Sequence, residues 1–203
     1  MAIHSCRVVE ATKKHQKSQY LNVLNHETEK ERKYVVFASN NIIQESMGKT
    51  LVVYFSTSGT TGKLARTLAA AIGADLHEIQ PKEAYTAADL NWQDSNSRSS
   101  REMNDKSFRP SVANKVEDME QYDTIFVGFP IWWYVAPTII NTFLEQYDLT
   151  GKKVIPFATS GGSGMGNTNK ELADSCKGAI LLEGKRFGSS ASEADLKAWA
   201  EKF

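Results

Sequence analysis

The stretch "YFSTSGTTGK", Tyr54 to Lys63, places five hydroxyl side chains, Ser56, Thr57, Ser58, Thr60 and Thr61, around Gly59. An apolar run, "TLVVYF", precedes it, and an Ala-rich segment follows in which Leu64, Leu68 and Ile72 recur every fourth residue. A helix that starts here leaves its first N–H groups unpaired and partially positive. The hydroxyls add donors, and Gly59 lets the backbone wrap closely. The pattern predicts a phosphate cradle that needs no cation. Lys63 is left out of it, because a lysine in a first helical turn is more often solvated.

Counting excludes other phosphate motifs. A Walker A loop needs four residues between its first glycine and the Gly-Lys pair, whereas Gly59 and Gly62 have two between them. The dinucleotide fingerprint G-x-G-x-x-G fails at Gly162-x-Gly164, because Gly166 arrives one position early and Asn167 follows. A phosphorelay receiver would want an aspartate where the chain has Gly128-Phe129-Pro130.

Two further loops have unusual compositions. In "PIWWYVAP", Pro130 to Pro137, adjacent tryptophans offer a large flat surface, and at least one is expected to face a planar ligand. In "ATSGGSGMGNT", Ala158 to Thr168, the glycines let backbone N–H groups approach a ligand edge without interfering side chains.

The elements that must position these loops follow from periodicity. Residues 50–55, 124–129, 153–158 and 179–183 are short, mostly continuous apolar runs, as parallel strands covered on both faces require. The more polar 74–80 reads as an edge strand. Helical spacing runs from Leu64 to a stop at Gly73, then opens at Pro137 with Ile140, Phe143, Leu144 and Tyr147 on one face. It returns at Leu196, Trp199, Ala200 and Phe203 behind Ser192, a candidate N-cap with Asp195 three residues on. Five alternations predict an α/β, doubly wound, three-layer fold with a five-stranded parallel sheet in the order 2-1-3-4-5. In that fold ligands bind beyond the carboxyl ends of the strands, where the three loops meet.

Together the loops carry a family resemblance. Ser56-Thr57-Ser58-Gly59-Thr60-Thr61 matches the flavodoxin phosphate-loop pattern, (T/S)-x-(T/S)-G-x-T, and "PIWW" and "TSGG" fall where flavodoxins hold the isoalloxazine ring. The chain resembles the flavodoxin-like FMN-binding family over residues 49–203. The resemblance implies FMN as cofactor, with Ser56, Thr57, Ser58, Gly59, Thr60 and Thr61 on the phosphate. It places Pro130, Ile131, Trp132 and Trp133 beside the ring and the backbone of Thr159, Ser160, Gly161 and Gly162 at its pyrimidine side. The flavin would carry the redox chemistry, so no side chain is assigned as catalytic and no metal is expected.

Two functions are compatible with that resemblance. One is a redox protein passing electrons through the flavin to a partner protein; the other is an NAD(P)H-dependent FMN oxidoreductase with a quinone-type acceptor. Flavodoxins commonly flip a peptide beside the flavin at a glycine, where this chain has Ile131-Trp132-Trp133-Tyr134. Dedicated carriers are strongly acidic, whereas residues 47–203 hold 17 Lys or Arg against 19 Asp or Glu, a net of −2. Both departures lean toward the enzyme. The single small domain without a recognisable nicotinamide site leans toward the carrier, which stays slightly ahead.

Composition bounds the rest. The 203 residues carry 24 Lys or Arg and 24 Asp or Glu, so no global field recruits nucleic acid or an anionic membrane. Cys6 and Cys176 form neither a metal cluster nor a disulfide framework, and a reduced, cytoplasmic setting is expected. Neither an 18-residue apolar run nor a signal-peptide core occurs, so membrane insertion is not expected. Residues 1–48 form a polar N-terminal extension, expected to be poorly ordered or to precede the natural start at Met47. The long connection 81–121 lacks apolar periodicity and reads as a surface crossover, in preference to a lid bringing Trp92 with Arg98 or Arg101 over the site. His77 and Cys176 are read as structural.

Overall fold

The computed structural model describes residues 48–203. The expected N-terminal extension, but for Gly48, lies outside the described residues, as does Cys6. In chain order the elements are β1 (Lys49–Tyr54), α1 (Thr60–Ile72), β2 (Asp75–Glu78), α2 (Arg98–Asn104), β3 (Tyr122–Pro130) and α3 (Thr138–Leu144). They continue with β4 (Lys153–Thr159), α4 (Thr168–Leu172), β5 (Ile180–Leu181), β6 (Lys185–Phe187) and α5 (Glu193–Ala200), with 3-10 turns at Met119–Gln121 and Ala173–Cys176.

The sheet order is β2-β1-β3-β4-β5, with every pairing parallel, as predicted. Alternate residues of each strand feed two separate cores, which is why the strands read as continuous apolar runs. On one face Leu51, Val53, Phe55, Ile125, Val127 and Phe129 pack with Ile139, Ile140 and Phe143 of α3. On the other, Val52, Tyr54, Phe126, Ile155 and Phe157 pack with Leu64 and Leu68 of α1 and Leu196 and Trp199 of α5. Between β3 and β4, Gly128 stands opposite Phe157 in register. A Cβ on Gly128 would come within 2.2 Å of that ring, so the glycine makes room for the Phe157 side chain.

The helix termini follow the sequence closely. Gly73 adopts φ 64°, and Ala74 N–H reaches back to Ala69 C=O at 2.9 Å, closing α1 through a left-handed residue that glycine adopts without strain. Ser192 caps α5 by accepting the Asp195 N–H at 3.1 Å. Pro137 sits one position earlier than expected, at the N-cap of α3, with extended backbone and its carbonyl accepting the Ile140 N–H.

Of the predicted fifth strand, 179–183, only Ile180–Leu181 forms β5, and a further short strand, β6, follows at Lys185–Phe187 on the same side of β4. Its partner explains the break. Val154 C=O accepts from Leu182 N–H on the β5 side of β4, so alternation turns the backbone of Pro156 toward the same side, where proline has no N–H to donate. Pairing to β4 therefore stops at Leu181 and resumes at Lys185 against Phe157.

Candidate functional site

All three hydroxyl, aromatic and glycine loops leave the carboxyl ends of β1, β3 and β4, which lie side by side at the sheet centre. Short hydrogen bonds tie them. Thr61 Oγ1 and Thr159 Oγ1 are 2.7 Å apart and both buried, joining the first loop to the third. Ile131 N–H donates to Thr159 C=O at 2.9 Å, joining the second loop to the third. Thr159 is thus the hinge pin of the edge.

The first loop has the features of an anion cradle. Gly59 is the N-cap of α1 in the left-handed region, φ 82°, and no side chain caps the helix. The N–H groups of Thr60, Thr61 and Gly62 have no intrahelical acceptor, as in any first turn. Ser58 Oγ lies 3.3 Å from Thr60 Oγ1. Ser56 Oγ is buried with no hydrogen-bond partner, an arrangement that costs about 1–3 kcal/mol unless something answers it.

The second loop folds as a two-residue turn. Trp132 and Val135 exchange backbone hydrogen bonds of 3.0 Å each, and the residues between them, Trp133 and Tyr134, take φ 44° and φ 66°. This is type I′ geometry, which Asn and Gly normally supply. The turn separates the two tryptophans. Trp132 packs edge-on against Phe55 and Tyr85, with ring centroids 5.7 and 5.5 Å away, while Trp133 stays 40% exposed. Pro130 and Ile131 are half-buried at the mouth of the loop.

In the third loop Gly161 and Gly162 are exposed, and a Cβ at either would meet no protein atom within 4 Å. Ser160 Oγ donates to Ser163 C=O, curling the loop on itself. Gly166 has a different role. At φ 53° its Cα approaches the Tyr134 carbonyl so closely that a Cβ would lie 2.1 Å from that oxygen. The third loop therefore buttresses the strained turn of the second.

Tyr85 belongs to the site edge although no motif in the sequence marks it. The connection 81–121 is pinned at its base by Pro81 pairing with Val112, flanked by Lys82 N–H to Ser111 C=O and Ala113 N–H to Gln80 C=O, both 2.8 Å. Tyr85 lies inside that loop and packs on Phe55 and Trp132. Its hydroxyl donates to buried Glu102 at 2.6 Å, Arg98 Nε donates to the same carboxylate at 2.7 Å, and the Arg98 guanidinium lies 3.9 Å from the Tyr85 ring centre. Burial, then the hydrogen bond to Glu102, hold the phenol well above its ordinary range. The available signal was position: a segment leaving β2 emerges at the same edge as the three loops. Trp92 is 71% exposed.

His77 and Cys176 sit as packing residues. The His77 ring stacks at a tilt on Phe143, and burial pushes its pKa down. Cys176 is buried, and burial raises its thiol to about 11. Among the described residues no group of acidic, histidine or cysteine side chains could hold a metal, and no helix is long and apolar enough to cross a membrane.

A doubly wound sheet with a hydroxyl-rich loop before an uncapped helix at its switch point, and aromatic and glycine loops beside it, is the arrangement of the flavodoxin-like class. Comparison with known proteins agrees. The family model described as Flavodoxin matches residues 49–203. The chain belongs to the flavodoxin family. A candidate flavoprotein from Bacteroides uniformis ATCC 8492 is 49% identical, over 76% of this chain and 99% of that one, with a TM-score of 0.72. Another, from Bacteroides eggerthii DSM 20697, is 46% identical over 76% and 97%, also with a TM-score of 0.72. A flavoprotein from Lactobacillus acidophilus NCFM solved in complex with FMN is 25% identical over 75% and 99%, with a TM-score of 0.58. No curated protein matches the chain.

FMN, the group the family implies, fits the residues present. A phosphate would answer the orphaned Ser56 hydroxyl and the free N–H groups of α1. The bare backbone at Gly161 and Gly162 leaves space for a ring edge.

Proposed function

We propose that this chain is an FMN redox protein that passes electrons through the flavin to a protein partner. The reading rests on one observation: Thr159 fastens the phosphate-type loop and the aromatic loop to each other at the carboxyl edge, through Thr61 Oγ1 at 2.7 Å and Ile131 N–H at 2.9 Å. When bound, FMN supplies one- and two-electron redox chemistry. The chain's residues bind and orient it: Ser56, Thr57, Ser58, Gly59, Thr60 and Thr61 at the phosphate, Pro130, Ile131, Trp132 and Trp133 beside the ring, and Thr159, Ser160, Gly161 and Gly162 through backbone groups. Trp132, held by Phe55 and Tyr85, keeps water from the inner side of the aromatic loop.

A second reading is an NAD(P)H-dependent FMN oxidoreductase. What favours it is the connection 81–121, which brings Tyr85 against Trp132 and builds a walled surface next to the ring loop, where a bare carrier needs none. Anaerobic titration of the FMN-loaded chain with NADH, NADPH and dithionite separates the two. Bleaching by dithionite alone supports the carrier, and rapid bleaching by a nicotinamide supports the enzyme. Failure to take up FMN overturns both.

A further inference from the structure

The connection 81–121 encloses a cleft of about 490 Å³ whose walls come from three stretches: Lys82 and Glu83, then Arg98, Arg101 and Glu102 of α2, then Phe108, Arg109, Pro110 and Ser111. Four cations line it. Two are committed elsewhere: Arg98 serves Glu102 and the Glu83 carbonyl, and Arg109 grips Glu145 through Nε and a terminal nitrogen at 2.9 and 3.0 Å. Glu102 is also the acceptor of the Tyr85 hydroxyl, so its carboxylate is used up inside the wall. Arg101 and Lys82 have no side-chain partner among the described residues. The carboxylates that face them are Glu83, exposed, and Asp89, already occupied by the N–H and hydroxyl of Thr86. Phe108 presents a ring that is 42% exposed.

We propose that this cleft is a ligand site separate from the flavin loops, and that it takes the adenine-nucleotide phosphate end of a nicotinamide dinucleotide. Lys82 and Arg101 would hold the phosphate, and Phe108 would carry the base. Three observations carry it: two uncommitted cations at one opening, a solvent-facing aromatic ring beside them, and a volume within the 300–1,000 Å³ range of small-molecule sites. Position adds to these. Arg98 and Glu102 of the cleft wall grip Tyr85, and Tyr85 touches Trp132 of the ring loop, so the cleft wall is joined to the ring loop through one shared side chain. The inference rests on the second functional reading for its choice of ligand.

The test uses the full chain loaded with FMN and adenosine 2′,5′-bisphosphate as the probe, followed by calorimetry. Binding is expected in the wild type. It should weaken about tenfold or more in Arg101→Gln and in Lys82→Gln, as loss of one charged hydrogen bond implies. Phe108→Ser should weaken it as well, and Lys115→Gln, which lies outside the cleft, should leave it unchanged. FMN affinity should be the same in all four variants. No binding by the wild type, or equal binding in all variants, overturns the proposal. If the bisphosphate binds as expected while neither NADH nor NADPH bleaches the flavin, the site stands and the oxidoreductase reading falls. If a nicotinamide bleaches the flavin with an unchanged KM in Arg101→Gln and Lys82→Gln, the reading stands and the site falls.

Discussion

Thr61 Oγ1 and Thr159 Oγ1 meet at 2.7 Å across the carboxyl edge of the sheet, 98 residues apart in sequence and both out of contact with water. One hydroxyl must donate and the other accept, so among the described residues each answers its partner's burial. Thr61→Val or Thr159→Val should each destabilise the chain by about 1–3 kcal/mol, because the surviving hydroxyl is stranded. The double variant removes both polar groups and should cost less than the two singles together. Urea unfolding of the four proteins checks the sign of that coupling. Simple additivity would mean that the contact does not bind the two loops.

Gly128 and Phe157 make a second such pair inside the sheet. With Phe157 Cζ 2.2 Å from where a Cβ would stand, Gly128→Ala should cost about 1–3 kcal/mol through overpacking. Adding Phe157→Leu removes the clash, so the double variant should be less destabilised than the sum of the singles. Thermal unfolding followed by circular dichroism measures it.

What could be read in advance divides along physical lines. The β1, β3 and β4 runs were legible because both faces of those strands are covered, leaving no polar alternation to obscure them. Helix α1 was legible from Leu64 and Leu68, and its end from Gly73. The break between β5 and β6 was not, since its cause is Pro156 on a neighbouring strand, and only the pairing turns that missing N–H toward the edge. The aromatic loop was legible as a site and illegible as a shape. Nothing in Trp133-Tyr134 resembles the Asn-Gly signal of the turn the two residues form. Tyr85 lay hidden in a polar connection, because its ring partners Phe55 and Trp132 belong to two other segments and its acceptor Glu102 lies 17 residues further along the same connection.

Arg109 and Glu145 give stability a pH dependence with a definite sign. The Arg109 hydrogen bonds hold the Glu145 carboxyl below its ordinary range against the opposing effect of burial, and the Ser175 hydroxyl adds a lesser contribution in the same direction as Arg109. A depressed folded-state pKa contributes stability above the unfolded carboxylate range and loses it as pH falls through the folded value. Arg109→Gln should therefore be less stable than the wild type at neutral pH, and the gap should close as the solution is acidified through that window. Both side chains are partly exposed, so the gap should also shrink with added salt. A gap that persists in acid would assign the effect to the bonds that do not titrate, from Arg109 to the Lys106 and Phe108 carbonyls, or to packing of the arginine stem.

The strained turn and its buttress allow two substitutions of opposite sign on one contact. Tyr134 at φ 66° bears the cost of a left-handed backbone that glycine escapes, roughly 1–2 kcal/mol. Glycine returns part of it as unfolded-state entropy, about 0.5–1 kcal/mol. Tyr134→Gly should thus raise the stability of the FMN-free chain by about 0.5–1 kcal/mol. Gly166→Ala should act the other way, because its Cβ would stand 2.1 Å from the Tyr134 carbonyl oxygen and its own φ is 53°. It should lower stability by about 1–3 kcal/mol and weaken FMN binding, since the clash pushes the aromatic and glycine loops apart together. Denaturant unfolding and FMN titration of both variants decide it: if Gly166→Ala leaves FMN affinity unchanged, the two loops do not act as one wall of the site.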